Sequence, residues 1–290
     1  MEKTRGILSA YEYRKTSYRA AYMVFMAAAV ALALVMIYPI VWVFLSALKG
    51  SAEVYRMPPA FLPERPLWEN FPDAWKRYEF SMVFPNTVFV YLGVLAARLS
   101  VVILGAYALS RLEVPFRKFF YLFFLSTLVL PPMAYLVPSF LVVHRLGMID
   151  TWWAVWLPAA AAPMPLLLAK NFFDGIPKEL SEASRMDGAS ELRILGSIVL
   201  PNSKPIVAVL AIFAFLEVWN NFFWQQLVLI SHKIWTVAVM IWFRSFTIGG
   251  QPPMNIQLAG MFFSLVPPLV LFMIFQKYIT EGITFSGLKG

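Results

Sequence analysis

Cysteine is absent from the 290 residues, which rules out a disulfide framework, thiolate chemistry and any Cys-based metal site. Histidine is nearly absent: His144 and His232 stand far apart, and lone loop histidines are incidental far more often than they are ligands. Charge is scarce too. Asp, Glu, Lys and Arg make up 14% of the chain against 60% hydrophobic residues, and the mean hydropathy is +0.68. That is too little polar surface to cover a globule in water. No Gly-x-x-x-x-Gly-Lys-Ser/Thr loop occurs, so ATP cannot be bound by that route. The net charge of +8 does not point to nucleic acid, because the basic residues are scattered between apolar runs with no aromatic platform. Lys and Arg flanking membrane spans accounts for them better.

What the chain has in abundance is apolar length. Several runs exceed about twenty residues, the length that crosses a ~30 Å hydrocarbon core as a helix. Lipid offers no partner to a backbone amide, and nothing shows the alternation of a barrel. The expected class is therefore all-α integral membrane. About six transmembrane helices are predicted, near 20–48, 84–109, 119–143, 152–173, 206–230 and 256–278. They form a membrane domain over 20–280, with short segments at 1–19 and 281–290. The first span is too long for a signal-peptide core and has no clear cleavage site, so it reads as uncleaved. Pro131, Pro132, Pro138, Pro158, Pro163, Pro165, Pro267 and Pro268 fall inside spans, which implies kinks or tight packing. An even number of spans puts both termini on one side. With the termini inside, fifteen Lys/Arg lie inside and eight outside, which favours cytoplasmic N- and C-termini. The aromatic-ringed segment 235–246 is too short to cross and reads as re-entrant or interfacial on the outer side.

The most informative stretch runs from 174 to 205, between spans four and five. It predicts two short helices around a glycine. Pro177 suits a first helical position, and Ile176, Leu180 and Ala183 share a face. Gly188 can end the first helix in the left-handed conformation, and Asp187 or Ser190 can cap the second. The small residues Ala183, Ser184, Gly188 and Ala189 let this elbow approach another surface closely.

The same stretch resembles the Glu-Ala-Ala loop of binding-protein-dependent ABC importer permeases. Glu182-Ala183-Ser184 is followed after three residues by Gly188, and after nine more by Ile198-Val199-Leu200-Pro201. Ser184 in place of the second alanine is the one departure. Further pieces are similar to the carbohydrate branch, most of all to the second permease of maltose-type systems. They are Asn70-Phe71, Tyr107-Ala108-Leu109-Ser110-Arg111, Leu130-Pro131-Pro132, Asp187-Gly188-Ala189-Ser190, Trp219-Asn220-Asn221-Phe222-Phe223-Trp224 and Gly287-Leu288-Lys289-Gly290. The resemblance implies a type I importer permease in the inner (cytoplasmic) membrane, non-catalytic and without a cofactor of its own. It implies a second permease, two ATP-binding subunits that hold ATP and Mg²⁺, an extracytoplasmic solute-binding protein and a sugar substrate. It makes the loop a coupling helix docked on the ATPase, through Glu182, Ala183, Ser184, Asp187, Gly188 and Ala189. A polyol or glycerol phosphate is the alternative solute. A stand-alone ion-coupled carrier would want more intramembrane carboxylates or a repeat.

Two ionisable residues stand deep in spans, Arg98 in span two and Glu217 in span five. Each costs about 2.5–3.5 kcal/mol at a bilayer centre on insertion scales, so each should face protein or water. Glu217 is one candidate partner for Arg98, and a group on a second membrane subunit would serve as well. With Asn220, Asn221 and Trp224 it follows the i, i+3, i+4, i+7 spacing of one helical face, which makes these four the candidate substrate pathway. The other reading of the four is interhelical hydrogen bonding that holds the bundle together.

Overall fold

The computed structural model describes residues 16–246 and 250–287, with backbone alone for 16, 17, 19 and 277–287. Of the expected terminal segments, 1–15 and 288–290 lie outside the described residues, including the Leu288-Lys289-Gly290 end of the tail motif. The described chain is helical throughout, with no strand among the described residues. In order it forms α1 (Thr16–Ala47), α2 (Ser51–Val54), α3 (Asn70–Arg77), α4 (Phe80–Arg111), α5 (Arg117–Thr127), α6 (Pro132–Arg145), α7 (Trp153–Ala160) and α8 (Pro163–Asp174). Then come α9 (Lys178–Met186), α10 (Glu191–Ile194), a π-helical stretch over Leu195–Val199, α11 (Leu200–Asn202), α12 (Lys204–Asn220), α13 (Phe222–Val228), α14 (Val237–Phe246) and α15 (Met254–Gly287).

Among the described residues, three helices are long and apolar enough to cross a membrane: Ala20–Ala47, Phe80–Arg111 and Met254–Gln276. Counting each bent pair as one span gives six. The bends are 104° between α5 and α6, 45° between α7 and α8, and 83° between Glu191–Asn202 and α12. Proline explains where they fall. Pro132, Pro163 and Pro205 each occupy the first positions of a new helix, where a missing N–H breaks no bond and the fixed φ suits a helical start. Spans three and four are thus broken helices, as the proline density predicts.

The described contacts divide into two units. The first holds α1, α2, the start of α3 and the first turns of α15. Its polar anchor is Asn70, whose Nδ2 donates to the Ala47 and Lys49 carbonyls at 2.7 and 3.0 Å and whose Oδ1 accepts from Asn255 at 3.1 Å. Those carbonyls lie at the end of α1, where no further turn can take them.

The second unit is built on α4. Val90, Val94, Arg98, Val102 and Ala106 recur every four residues along one seam, and all are buried. The seam packs against α7, α8 and α12. Its half nearer the N-terminus joins Val155, Ala214, Val218 and Val228 in one core, and the other half joins Leu166, Phe173, Ile194, Leu195 and Leu210 in another. Gly93 permits one close approach: a Cβ there would stand 2.1 Å from the Trp156 ring of α7.

Candidate functional site

The elbow forms as its residues predict, with differences in detail. Helix α9 begins at Lys178, so Pro177 takes the N-cap position one residue earlier than expected. Gly188 adopts φ +78°. Its amide donates to Arg185 O and the Ala189 amide donates to Ser184 O, both at 3.0 Å, which together close a Schellman turn. Asp187 ends α9, and Ser190 is the residue that caps α10, its Oγ accepting from Arg193 N at 3.4 Å.

The packed face of α9 is not the one predicted. Ile176 is buried, but the residue of α9 itself that packs inward is Ser181, while Leu180 and Ala183 face outward. Leu180, Met186 and Leu192 are 47, 89 and 72% exposed, so the elbow presents apolar side chains beside exposed Glu182, Ala183, Asp187 and Gly188. Ser184 and Ala189 are half-buried.

What holds the elbow in place is the end of α4, a role the sequence reading missed. Tyr107, Ser110 and Arg111 stand at i, i+3 and i+4, a spacing that already signals one polar face. Tyr107 donates its hydroxyl hydrogen to Glu191 Oε2. Glu191 also accepts from Arg185 Nε at 2.7 Å and Nη2 at 3.2 Å. Those bonds, from Arg185 first and then Tyr107, hold the Glu191 carboxyl below its ordinary value against the opposing effect of burial. Arg111 Nη2 donates to the Phe173 and Ile176 carbonyls, and Ser110 Oγ donates to Asp174 Oδ1 at 2.7 Å. The entry and exit of the elbow are therefore tied to one turn of one span.

Toward the middle of the unit, Arg98 Nη2 meets Glu217 Oε2 at 2.7 Å, one of the two partnerships the sequence left open. The arginine side chain is 2% exposed and the glutamate 50%. The shared helical face expected of Glu217, Asn220, Asn221 and Trp224 does not form. Asn221 has φ −86° and ψ 77°, which breaks the helix between α12 and α13, and its Oδ1 accepts from Trp224 N at 3.2 Å as a cap. Asn220 Nδ2 donates to Leu216 O at 2.8 Å, leaving its other N–H and its oxygen for what lies outside.

Trp224 and Arg98 have a use that the breaks in the helices dictate. A helical carbonyl bonds the amide four residues on, and proline has none. Pro158 leaves Ala154 O open, and Trp224 Nε1 donates to it at 3.0 Å. Helix α7 ends at Ala160, which leaves Ala159 O without a following turn, and Arg98 Nε donates to it at 2.9 Å. Pro268 leaves Ser264 O open, and Trp219 Nε1 donates to it at 3.0 Å. Similarly Gln225 Nε2 donates to Val218 O at 2.8 Å across the Asn221 break. Of the four candidate pathway residues, Trp224 and Asn221 are thus committed to backbone, while Glu217 and Asn220 are exposed. Among the described residues no group of three or more His, Cys, Asp or Glu is placed to hold a metal ion.

Comparison with known proteins follows the same lines. Residues 101–285 match the family described as binding-protein-dependent transport system inner membrane component. The sn-glycerol-3-phosphate transport system permease protein UgpE of Pectobacterium atrosepticum is 29% identical over 87% of this chain and 92% of its own length. The probable ABC transporter permease protein YurM of Bacillus subtilis is 32% identical over 87 and 84%. The arabinooligosaccharides transport system permease protein AraQ of Halalkalibacterium halodurans is 30% identical over 89 and 93%. In a crystal structure of a bacterial ABC transporter involved in the import of the acidic polysaccharide alginate, one chain shares the fold with a TM-score of 0.81. It is 23% identical, over 91% of this chain and 98% of that one.

Proposed function

This chain belongs to the family of binding-protein-dependent transport system inner membrane components, the permeases of ABC importers, and from that premise we propose that it forms half of the translocation path for a sugar or oligosaccharide. The observation that carries the reading is the elbow: a Schellman turn at Gly188, backed by Tyr107, Ser110 and Arg111, with small and apolar side chains facing outward. In this reading Glu182, Ala183, Ser184, Asp187, Gly188 and Ala189 dock on a separate ATPase. The two ATP-binding subunits hold ATP and Mg²⁺, and this chain performs no catalysis itself. A second permease completes the path, and a solute-binding protein delivers the solute from outside. The chain crosses the membrane six times with both termini cytoplasmic. Glu217 and Asn220 are the residues of the candidate pathway still available to a solute. Glycerol phosphate is the second solute reading, supported by the name of the Pectobacterium relative.

The test is reconstitution. In proteoliposomes this chain alone should give neither uptake nor ATP hydrolysis. With its second permease, ATPase and binding protein it should give solute-stimulated hydrolysis and uptake. Uptake by the chain alone would defeat the reading in favour of a stand-alone carrier.

A further inference from the structure

Helix α4 has 32 residues and so extends about 48 Å. The elbow is tied to its C-terminal end, and a different charged cluster surrounds its N-terminal end. The chain turns there at Glu79, in the left-handed region with φ 49°. The Glu79 carboxylate accepts from Arg244 Nη2 at 2.7 Å and lies 3.3 Å from His232 Nε2. Beside it Tyr78 and Ser245 share a buried hydrogen bond of 3.1 Å. These contacts pin α14 against the start of α4 and fix Arg244 opposite the end of α3. Between them lies a pocket of about 190 Å³, lined by Lys76, Arg77 and Arg244 and walled by Gly250 and Pro252.

Three cations line this pocket, and among the described residues only Arg244 of the three is paired with a carboxylate. Glu79 is occupied by Arg244 and His232, and Lys76 and Arg77 form no ion pair among the described residues. Arg244 Nε is buried with no hydrogen-bond partner among the described residues. Like charges held around one concavity repel, and an anion entering it relieves the repulsion while meeting several donors. Lys76 and Arg77 belong to α3, whose sequence Asn-Phe-Pro-Asp-Ala-Trp-Lys-Arg is polar, ahead of the apolar run that starts at Phe80.

We propose that this pocket is where a carboxylate side chain of the solute-binding protein docks. The proposal rests on the importer reading, which puts the elbow inside and hence the other end of α4 outside. A soluble partner must find that outer face from solution, and an exposed cationic pocket steers and orients such an encounter.

The experiment uses the complete transporter in nanodiscs and its purified solute-binding protein. ATP hydrolysis is followed against binding-protein concentration, in low and high salt. In low salt the double variant Lys76→Gln, Arg77→Gln should need roughly three- to twentyfold more binding protein for half-maximal stimulation, with the maximal rate unchanged. In high salt the difference should shrink toward nothing. Arg77→Glu should be rescued by changing one surface acid of the binding protein to lysine. Equal half-saturation of wild type and double variant in low salt would overturn the proposal. So would a defect that tracks the anionic-lipid content of the nanodisc at saturating binding protein, since that assigns the pocket to headgroups. No stimulation of the wild-type complex would instead remove the importer reading, and the docking site with it.

Discussion

At the scale of single residues, the recurring problem is a carbonyl that a proline or a helix end has left open. Unsatisfied, such a group in lipid costs several kcal/mol. Trp224, Arg98 and Trp219 answer it at Ala154, Ala159 and Ser264. Trp224→Phe removes the N–H together with the five-membered half of the indole, so it should cost about 1–3 kcal/mol for the stranded carbonyl and a packing loss besides. The expected readout is a lower yield and melting temperature of the complex, with unchanged uptake per intact complex. Asn220→Ala should do the reverse, lowering uptake several-fold, as loss of a hydrogen bond worth about 0.5–1.5 kcal/mol implies, with normal yield. Loss of yield without loss of specific uptake for Asn220→Ala would return that residue to the scaffold. Of the two partners the sequence allowed Arg98, the structure brings up Glu217, the opposite charge available within the same chain. It misplaced the Asn221 face, because helical spacing assumes an unbroken helix and Asn221 caps a new one.

At the scale of elements, the elbow was the most legible part of the chain. Glycine for a left-handed residue and serine for a cap are local requirements, so sequence alone reveals them. The direction α9 faces was not legible, since it depends on which side the end of α4 occupies. Nothing lies within 4 Å of where a Gly188 Cβ would stand, so the objection to a side chain there is conformational and not one of space. Gly188→Val forces a β-branched residue into the left-handed region at about 1–2 kcal/mol or more, whereas asparagine enters it readily. Transport and solute-stimulated ATP hydrolysis should therefore fall together in Gly188→Val, and largely persist in Gly188→Asn, with both variants inserted normally. Equal activity of the two would disconnect the turn from coupling.

At the scale of the whole molecule, the helical membrane class and the breaks in spans three and four were legible in the sequence, because lipid leaves a helix no alternative. The partners of those breaks could not, because each lies in another span at a separation of 45 to 70 residues. That separation has a consequence in time. A chain is made from its N-terminus at roughly 5–20 residues per second. Arg98 is therefore already present when Ala159 emerges, whereas Trp224 follows Ala154 by 70 residues, a delay of roughly 4–14 s at that rate. For those seconds the first turn of α7 carries a carbonyl that nothing yet made can satisfy, so it should wait in contact with water rather than lipid. The native chain has no cysteine, so a single thiol reports on this directly. Ala154→Cys, at a position buried in the folded chain, should react with a water-soluble maleimide in nascent chains that end before residue 224 and become protected once Trp224 is present. Protection in both would mean that span four closes without its indole.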